Sequence, residues 1–155
     1  MGKYFEVKYN VEEFQKKFGE IRKNFTDLTP FLKIIRVKLL FAMQENFSTE
    51  GTSLGAKWQA WSEKYKKLRI KHGKSGNGVI LSDTGLLRKS FIGKIENKQL
   101  VIGSASEYAA IHNFGHPQRK MPKREYFKFT EQTINEVLED INDTAKELLE
   151  KGLQA

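Results

Sequence analysis

The sequence predicts an α+β fold, in which a small antiparallel sheet with a hairpin packs against long helices in a single domain spanning residues 1–155. Three observations predict it. Apolar residues recur at helical spacing over residues 11–25, 30–47 and 130–151. Two short runs, residues 91–96 and 99–103, flank Asn97-Lys98 at the spacing of a tight hairpin. The order is helices, hairpin, helix, with no internal repeat and no low-complexity tract.

The elements follow in order. Residues 4–9 partly alternate and read as a short strand. Asn10, with Glu13 three residues on, is a capping box for a first helix over 11–25, carried by Val11, Phe14, Phe18, Ile21 and Phe25. Thr29 is a helix cap and Pro30 suits a first helical position. The second helix, 30–47, carries Phe31, Ile34, Ile35, Leu39, Ala42, Met43 and Phe47, a broad apolar face that other elements must cover. Residues 48–55 form a Gly/Ser/Thr loop. Ser62 caps a strongly basic helix, 63–71, and residues 73–78 are a glycine-rich loop. Ser82 or Asp83 caps a short helix over 84–91. After the hairpin comes a short helix, 108–114, which Gly115 ends. Residues 116–124 form a basic loop stiffened by Pro117 and Pro122, and 126–129 read as a returning strand. The last helix, 130–151, has a heptad-like row of Ile134, Val137, Leu138, Ile141, Ala145, Leu148 and Leu149, and Gly152 stops it.

Composition narrows the function. The chain has 155 residues, 39% hydrophobic and 30% charged, with no cysteine. Eleven Phe, five Tyr and two Trp supply the bulk of one core. The lack of Cys excludes a disulfide scaffold, a thiolate metal site and a cysteine nucleophile. The longest apolar-rich run, 34–43, is interrupted by Arg36 and Lys38 and is far short of a membrane span. The first residues lack the apolar stretch of a signal peptide, so a cytosolic address is expected.

The net charge of +8 is unevenly spread. Residues 51–94 carry 10 basic and 2 acidic groups, net +8, whereas 131–155 carry 2 against 7, net −5. A basic middle attracts nucleic acid, acidic protein faces and lipid headgroups alike. The candidate contact residues are Lys64, Lys66, Lys67, Arg69, Lys71 and Lys74, set among Trp58, Trp61 and Tyr65, together with Arg119 and Lys120 in the second basic loop.

Motifs for catalysis are missing. Gly73-Lys74-Ser75 imitates the end of a phosphate-binding loop, but Leu68 stands where its first glycine belongs, and no strand precedes it. Gly73 to Gly76 also fits a GXXG loop, a pattern common by chance. His112 and His116 are four apart, but Gly115 ends the helix between them and no carboxylate completes a metal site. No nucleophile elbow surrounds Ser82, Ser90 or Ser104. The carboxylates of the last helix read as a solvated face. No enzyme, cofactor, metal or small-molecule substrate is implied.

One ordered series does match a known pattern. It begins with Gly51 and Trp58-x-x-x-Ser62-x-x-Tyr65, then Ile80-Leu81-x-x-Thr84-Gly85-x-Leu87-x-x-Ser90. Val101-Ile102-Gly103-Ser104, Tyr108-Ala109-x-Ile111-His112-x-Phe114-Gly115 and Pro122-x-Arg124-x-Tyr126-Phe127 follow. The series resembles the phage virion morphogenesis family, the Mu-like tail completion proteins. In its second half it is also similar to the tail or head–tail joining components of lambda-like phages. It covers residues 30–150 and leaves 1–29 as an N-terminal extension outside the pattern. Asn113 stands where the family often has Gln, and Lys123 and Glu125 flank Arg124 where small residues or proline are usual.

The resemblance implies a structural protein of the virion that acts without catalysis in tail completion or head–tail joining, as a ring. Its partners would be copies of itself and neck or tail proteins, with non-specific DNA contact and no membrane. It would be found in the virion, and in the host cytoplasm during assembly. Trp58, Gly85, Tyr108, His112, Gly115, Pro122 and Arg124 become scaffold positions. Gly85 would set a turn before Leu86 and Leu87 pack, Tyr108, His112 and Gly115 would fix the short helix against the hairpin, and Arg124 would cap the sheet or bridge to a neighbouring subunit. Two other readings stand beside it: a small nucleic-acid-binding protein using residues 57–74, and an adaptor that docks through its last helix.

Overall fold

The computed structural model describes residues 12–151. The expected strand at 4–9, the Asn10 cap and the stop at Gly152 lie outside them. Among the described residues the helices are α1 Glu12–Asn24, α2 Thr29–Ser48, α3 Glu63–Lys71, α4 Leu86–Lys89, α5 Ala109–Phe114 and α6 Glu131–Glu150. The strands β1 Phe91–Glu96 and β2 Gln99–Ser104 form one two-stranded antiparallel sheet. The class is α+β.

The chain folds as two compact units. One comprises Met43–Phe91 and Ser104–Lys128. The other comprises residues 12–42, Ile92–Gly103 and residues 129–151.

The helical unit is built on a conventional apolar core. Ile21 and Phe25 of the α1 end, Leu28, Phe31, Leu32 and Ile35 of the α2 start, and Val137 and Ile141 of α6 are all buried together. Each large side chain fully removed from water contributes roughly 1.5–3 kcal/mol. Phe25 and Phe31 meet edge to face, with ring centroids 5.0 Å apart. Ile95 and Leu100 from the hairpin pack on this cluster. Lys38 pairs with Asp140 at 3.0 Å across the α2–α6 seam. The hairpin turn places Asn97 and Lys98 at φ 51° and 58°, the two left-handed residues of a type I′ turn, which matches the twist of paired strands.

Side-chain caps start α3 and α6 as expected, and two other helix starts depart from expectation. Ser62 accepts from the Tyr65 N–H, and Thr130 from the Thr133 N–H. At α2, however, the side chain that accepts is Asp27, from the Thr29 N–H at 2.9 Å, so Thr29 is already helical and Pro30 follows it. The short helix expected over 84–91 shrinks to Leu86–Lys89, with Gly85 at its cap. Asp83 does not cap it, because its carboxylate is spent on Arg69 and Lys74. Leu86 is 70% exposed and does not pack.

The returning strand expected at 126–129 is absent. The segment bends at Phe127, and its main-chain groups bond to side chains instead of a neighbouring strand.

Candidate functional site

Some of the quoted motif residues, Trp58, Ala109 and His112, meet the segment 124–128 in the unit formed by Met43–Phe91 and Ser104–Lys128. Tyr126 is its anchor and is fully buried. Its ring stacks on Phe47 at 4.8 Å and meets Phe91 and Trp58 edge on, at 5.3 and 6.5 Å. Its hydroxyl donates to the Ala109 carbonyl of α5. Burial pushes the phenol well above its ordinary pKa, so it stays protonated.

Around Tyr126, side chains hold the main chain. Asn113 Oδ1 accepts from the Tyr126 N–H at 3.1 Å and the Phe127 N–H at 2.9 Å. Asn46 Nδ2 donates to the Tyr126 and Lys128 carbonyls, both at 2.9 Å. Asn46 is itself oriented by Ser53, whose hydroxyl donates to Asn46 Oδ1 at 2.8 Å. Trp58 Nε1 donates to the Glu125 carbonyl at 2.9 Å. The Arg124 N–H bonds to the His112 carbonyl at 2.9 Å. A buried segment must satisfy its backbone groups, and here these side chains do what a strand would do elsewhere.

Two glycines make room for this arrangement. Gly51 has φ +85°, and a Cβ there would lie 2.4 Å from Trp58 Nε1. Gly115 has φ +77°, and a Cβ would lie 2.9 Å from the Lys123 nitrogen. The Gly115 turn also places His116 opposite Met121 in an isolated antiparallel bridge.

The other expected scaffold residues have different situations. Arg124 is buried, and Nε and an Nη donate to the Gln59 carbonyl at 3.2 and 3.0 Å. It therefore clamps its own chain, where a sheet cap or a bridge between subunits was expected. His112 is half-buried; burial, then the Arg124 charge, hold its imidazole below the ordinary value. Tyr108 is 65% exposed, and α5 is fixed through Asn113 and Ala109 instead. Gly85 lies in an open depression with Gln44, Ser82, Asp83, Thr84, Arg88 and Lys89. Pro122 is half-buried beside the bridge.

The basic region divides. Arg69 is buried: Nε donates to the Ser75 carbonyl at 2.9 Å, an Nη reaches Asp83 at 3.1 Å, and the guanidinium lies 4.3 Å over the Trp61 ring. It is an internal clasp, not the outward contact expected. Lys74 joins it on Asp83, whose carboxyl is held low by Lys74 and then Arg69. Lys66 pairs with Glu63 at 2.7 Å. Lys64, Lys67 and Lys71 are exposed with no acidic partner among the described residues, and Arg119 and Lys120 are exposed on the Pro117–Arg119 turn. Glu50 accepts from the Ile80 N–H at 2.6 Å and pairs with Lys57 at 2.9 Å, and both hold its carboxyl low. Gly73 and Lys74, the phosphate-loop imitation, close α3: the Gly73 N–H bonds to the Ile70 carbonyl and the Lys74 N–H to that of Arg69.

Asn46, Glu50 and the central role of Asn113 and Tyr126 were missed as site residues. One signal was available: Asn46 interrupts the apolar stripe of α2 between Met43 and Phe47, where a polar residue needs a partner.

Comparison with known proteins bears on this arrangement. No solved structure matches the chain. Mu-like prophage FluMu G protein 2 of Haemophilus influenzae is 27% identical over 139 residues, covering 86% of this chain and 90% of that protein. Mu-like prophage FluMu G protein 1 of the same organism is 24% identical over 148 residues, 96% of this chain and 99% of that protein. The model of the phage virion morphogenesis family matches residues 9–146, which take in α1 as well as the segment gripped by Asn46, Trp58 and Asn113. The chain therefore belongs to the phage virion morphogenesis family.

Proposed function

We propose that the chain is a non-enzymatic subunit that acts in tail completion or head–tail joining, where it assembles with copies of itself into a ring. Family membership over residues 9–146 carries this reading and makes the chain a phage structural or assembly protein. The near full-length similarity to two proteins named as Mu-like prophage G proteins supports it. The site agrees in kind. Its polar side chains are bound to main-chain atoms, as in a scaffold. No described helix is long and apolar enough to cross a membrane. The subunit works in the host cytoplasm during assembly and ends in the virion, against neck or tail proteins.

The test is deletion of the gene from an inducible prophage that carries it. Lysates should then hold heads and tails that are unjoined or incomplete by electron microscopy, and a plasmid copy should restore infectious particles. Full titre without the gene would overturn the reading. The alternative, a nucleic-acid-binding role for residues 57–74, draws on the unpaired Lys64, Lys67 and Lys71. It predicts duplex binding that survives physiological salt, whereas a scaffold binds DNA weakly and with steep salt dependence.

A further inference from the structure

Two rows of charge stand exposed with the same spacing. On α3, Lys64, Lys67 and Lys71 follow one another at steps of three and four residues, all exposed and all unpaired. On α6, Glu136, Glu139 and Asp143 repeat those steps, also exposed. Among the described residues their hydrogen-bonded neighbours are local, Gln132 on Glu136 and Lys146 on Asp143, and Lys38 of α2 lies within electrostatic reach of Glu136 and Glu139. Residues at these steps lie on one helix face, and each row spans about 10 Å at 1.5 Å per residue.

We propose that the lysine row of α3 docks on the acidic row of α6 of a second copy of this chain. The inference rests on the assembly reading above and names the surface that serves it. Opposite sign and matching spacing select the occupant. The contact joins two different patches, so it is heterologous, and repetition closes a ring when the rotation permits.

Two observations favour protein over DNA on this face. Leu68 and Ile70 are 49% and 62% exposed beside the lysines, apolar area that a protein partner covers and a phosphate backbone does not. Arg69, the side chain best shaped to grip a phosphate with two N–H groups, is turned inward onto Asp83 and Trp61.

Charge reversal tests the pairing. One variant carries Lys64→Glu and Lys67→Glu, a second Glu136→Lys and Glu139→Lys. Sedimentation velocity of the wild-type chain at about 0.05 M salt should show self-association that weakens about tenfold or more at about 0.5 M. Each variant alone should associate at least about thirtyfold more weakly, since attraction becomes repulsion. An equimolar mixture should associate again, because each reversed row then meets its complement.

Wild-type association that both variants retain overturns the proposed surface and leaves the assembly reading standing. A wild-type chain that is monomeric at every concentration and salt overturns the surface too, while the deletion experiment still judges the assembly reading. A lower melting temperature in either variant where it is monomeric assigns the rows to the fold and overturns the proposal. Loss of duplex-DNA binding in the lysine variant with unchanged self-association assigns the row to nucleic acid and overturns it as well.

Discussion

Trp58 and Glu125, 67 residues apart, are joined by a hydrogen bond of 2.9 Å from the indole Nε1 to the Glu125 carbonyl. The ring also faces Phe47 at 5.7 Å, so one residue supplies both an apolar wall and a donor. Trp58→Phe keeps most of the wall and removes the donor. It should cost about 1–3 kcal/mol, the range for leaving a buried carbonyl unsatisfied. Urea unfolding should show a lower midpoint with an unchanged slope. An unchanged midpoint would mean that water replaces the indole.

Asn113→Leu is expected to cost more, because it orphans two buried N–H groups, those of Tyr126 and Phe127. At about 1–3 kcal/mol each, the sum is roughly 2–6 kcal/mol. The same unfolding measurement ranks it against Trp58→Phe, and the reverse order would contradict the role of Asn113 as the principal grip.

What was legible in the sequence was whatever local chemistry decides. The bounds of α3, with its Ser62 cap, and of the hairpin, with its Asn97-Lys98 turn, came from residues a few positions apart. The segment 126–129 was misread as a strand because its residue types do not tell whether a strand or a set of side chains satisfies its backbone. Its partners, Asn46 and Asn113, lie 80 and 13 residues from Tyr126. Arg69 was read as an outward cation, and Arg124 as a sheet cap or a bridge between subunits, because charge in a sequence carries no direction. Only the packing shows one facing Trp61 and Asp83 and the other facing Gln59.

Two glycines should respond in opposite senses. Gly51→Ala forces a left-handed alanine whose Cβ meets Trp58 Nε1, and should cost about 2–4 kcal/mol. Gly19→Ala lies within α1 with nothing inside 4 Å of the added carbon, and should gain about 0.5–1 kcal/mol. Thermal melts of the two variants check both signs.

Acid should destabilise the fold in two stages. His112 is held below its ordinary pKa of 6.5, by burial first and the Arg124 charge second, so the unfolded chain takes up a proton that the folded chain resists. Stability is therefore lost as the pH falls from about 7 towards 5. His112→Gln should flatten that limb. A further loss below the ordinary value of 4.5 should persist in the variant, since the unfolded chain there takes up a proton at Glu50 that the folded chain, holding this carboxyl low chiefly through the Ile80 N–H, resists. Melting temperature against pH for both proteins shows whether the profiles diverge; parallel profiles would remove His112 from the account.

Arg69→Lys should loosen residues 75–83. Lysine keeps the charge but cannot hold the Ser75 carbonyl, Asp83 and the Trp61 face at once. Hydrogen exchange read by mass spectrometry should be at least about tenfold faster in that stretch and unchanged in α6, because opening there is local.

The grip on residues 124–128 works through main-chain atoms, and this separates two kinds of freedom. Trp58 takes Glu125 by its carbonyl, while the Glu125 side chain turns to Lys123 at 2.8 Å and stays half-exposed. The scaffold is therefore blind to which side chain occupies position 125. The Lys123 and Glu125 side chains pair with each other and take no part in that grip. Exchange of the side chains at 123 and 125 should therefore leave the fold intact, whereas Asn46, Trp58 and Asn113 hold the segment through their own side chains.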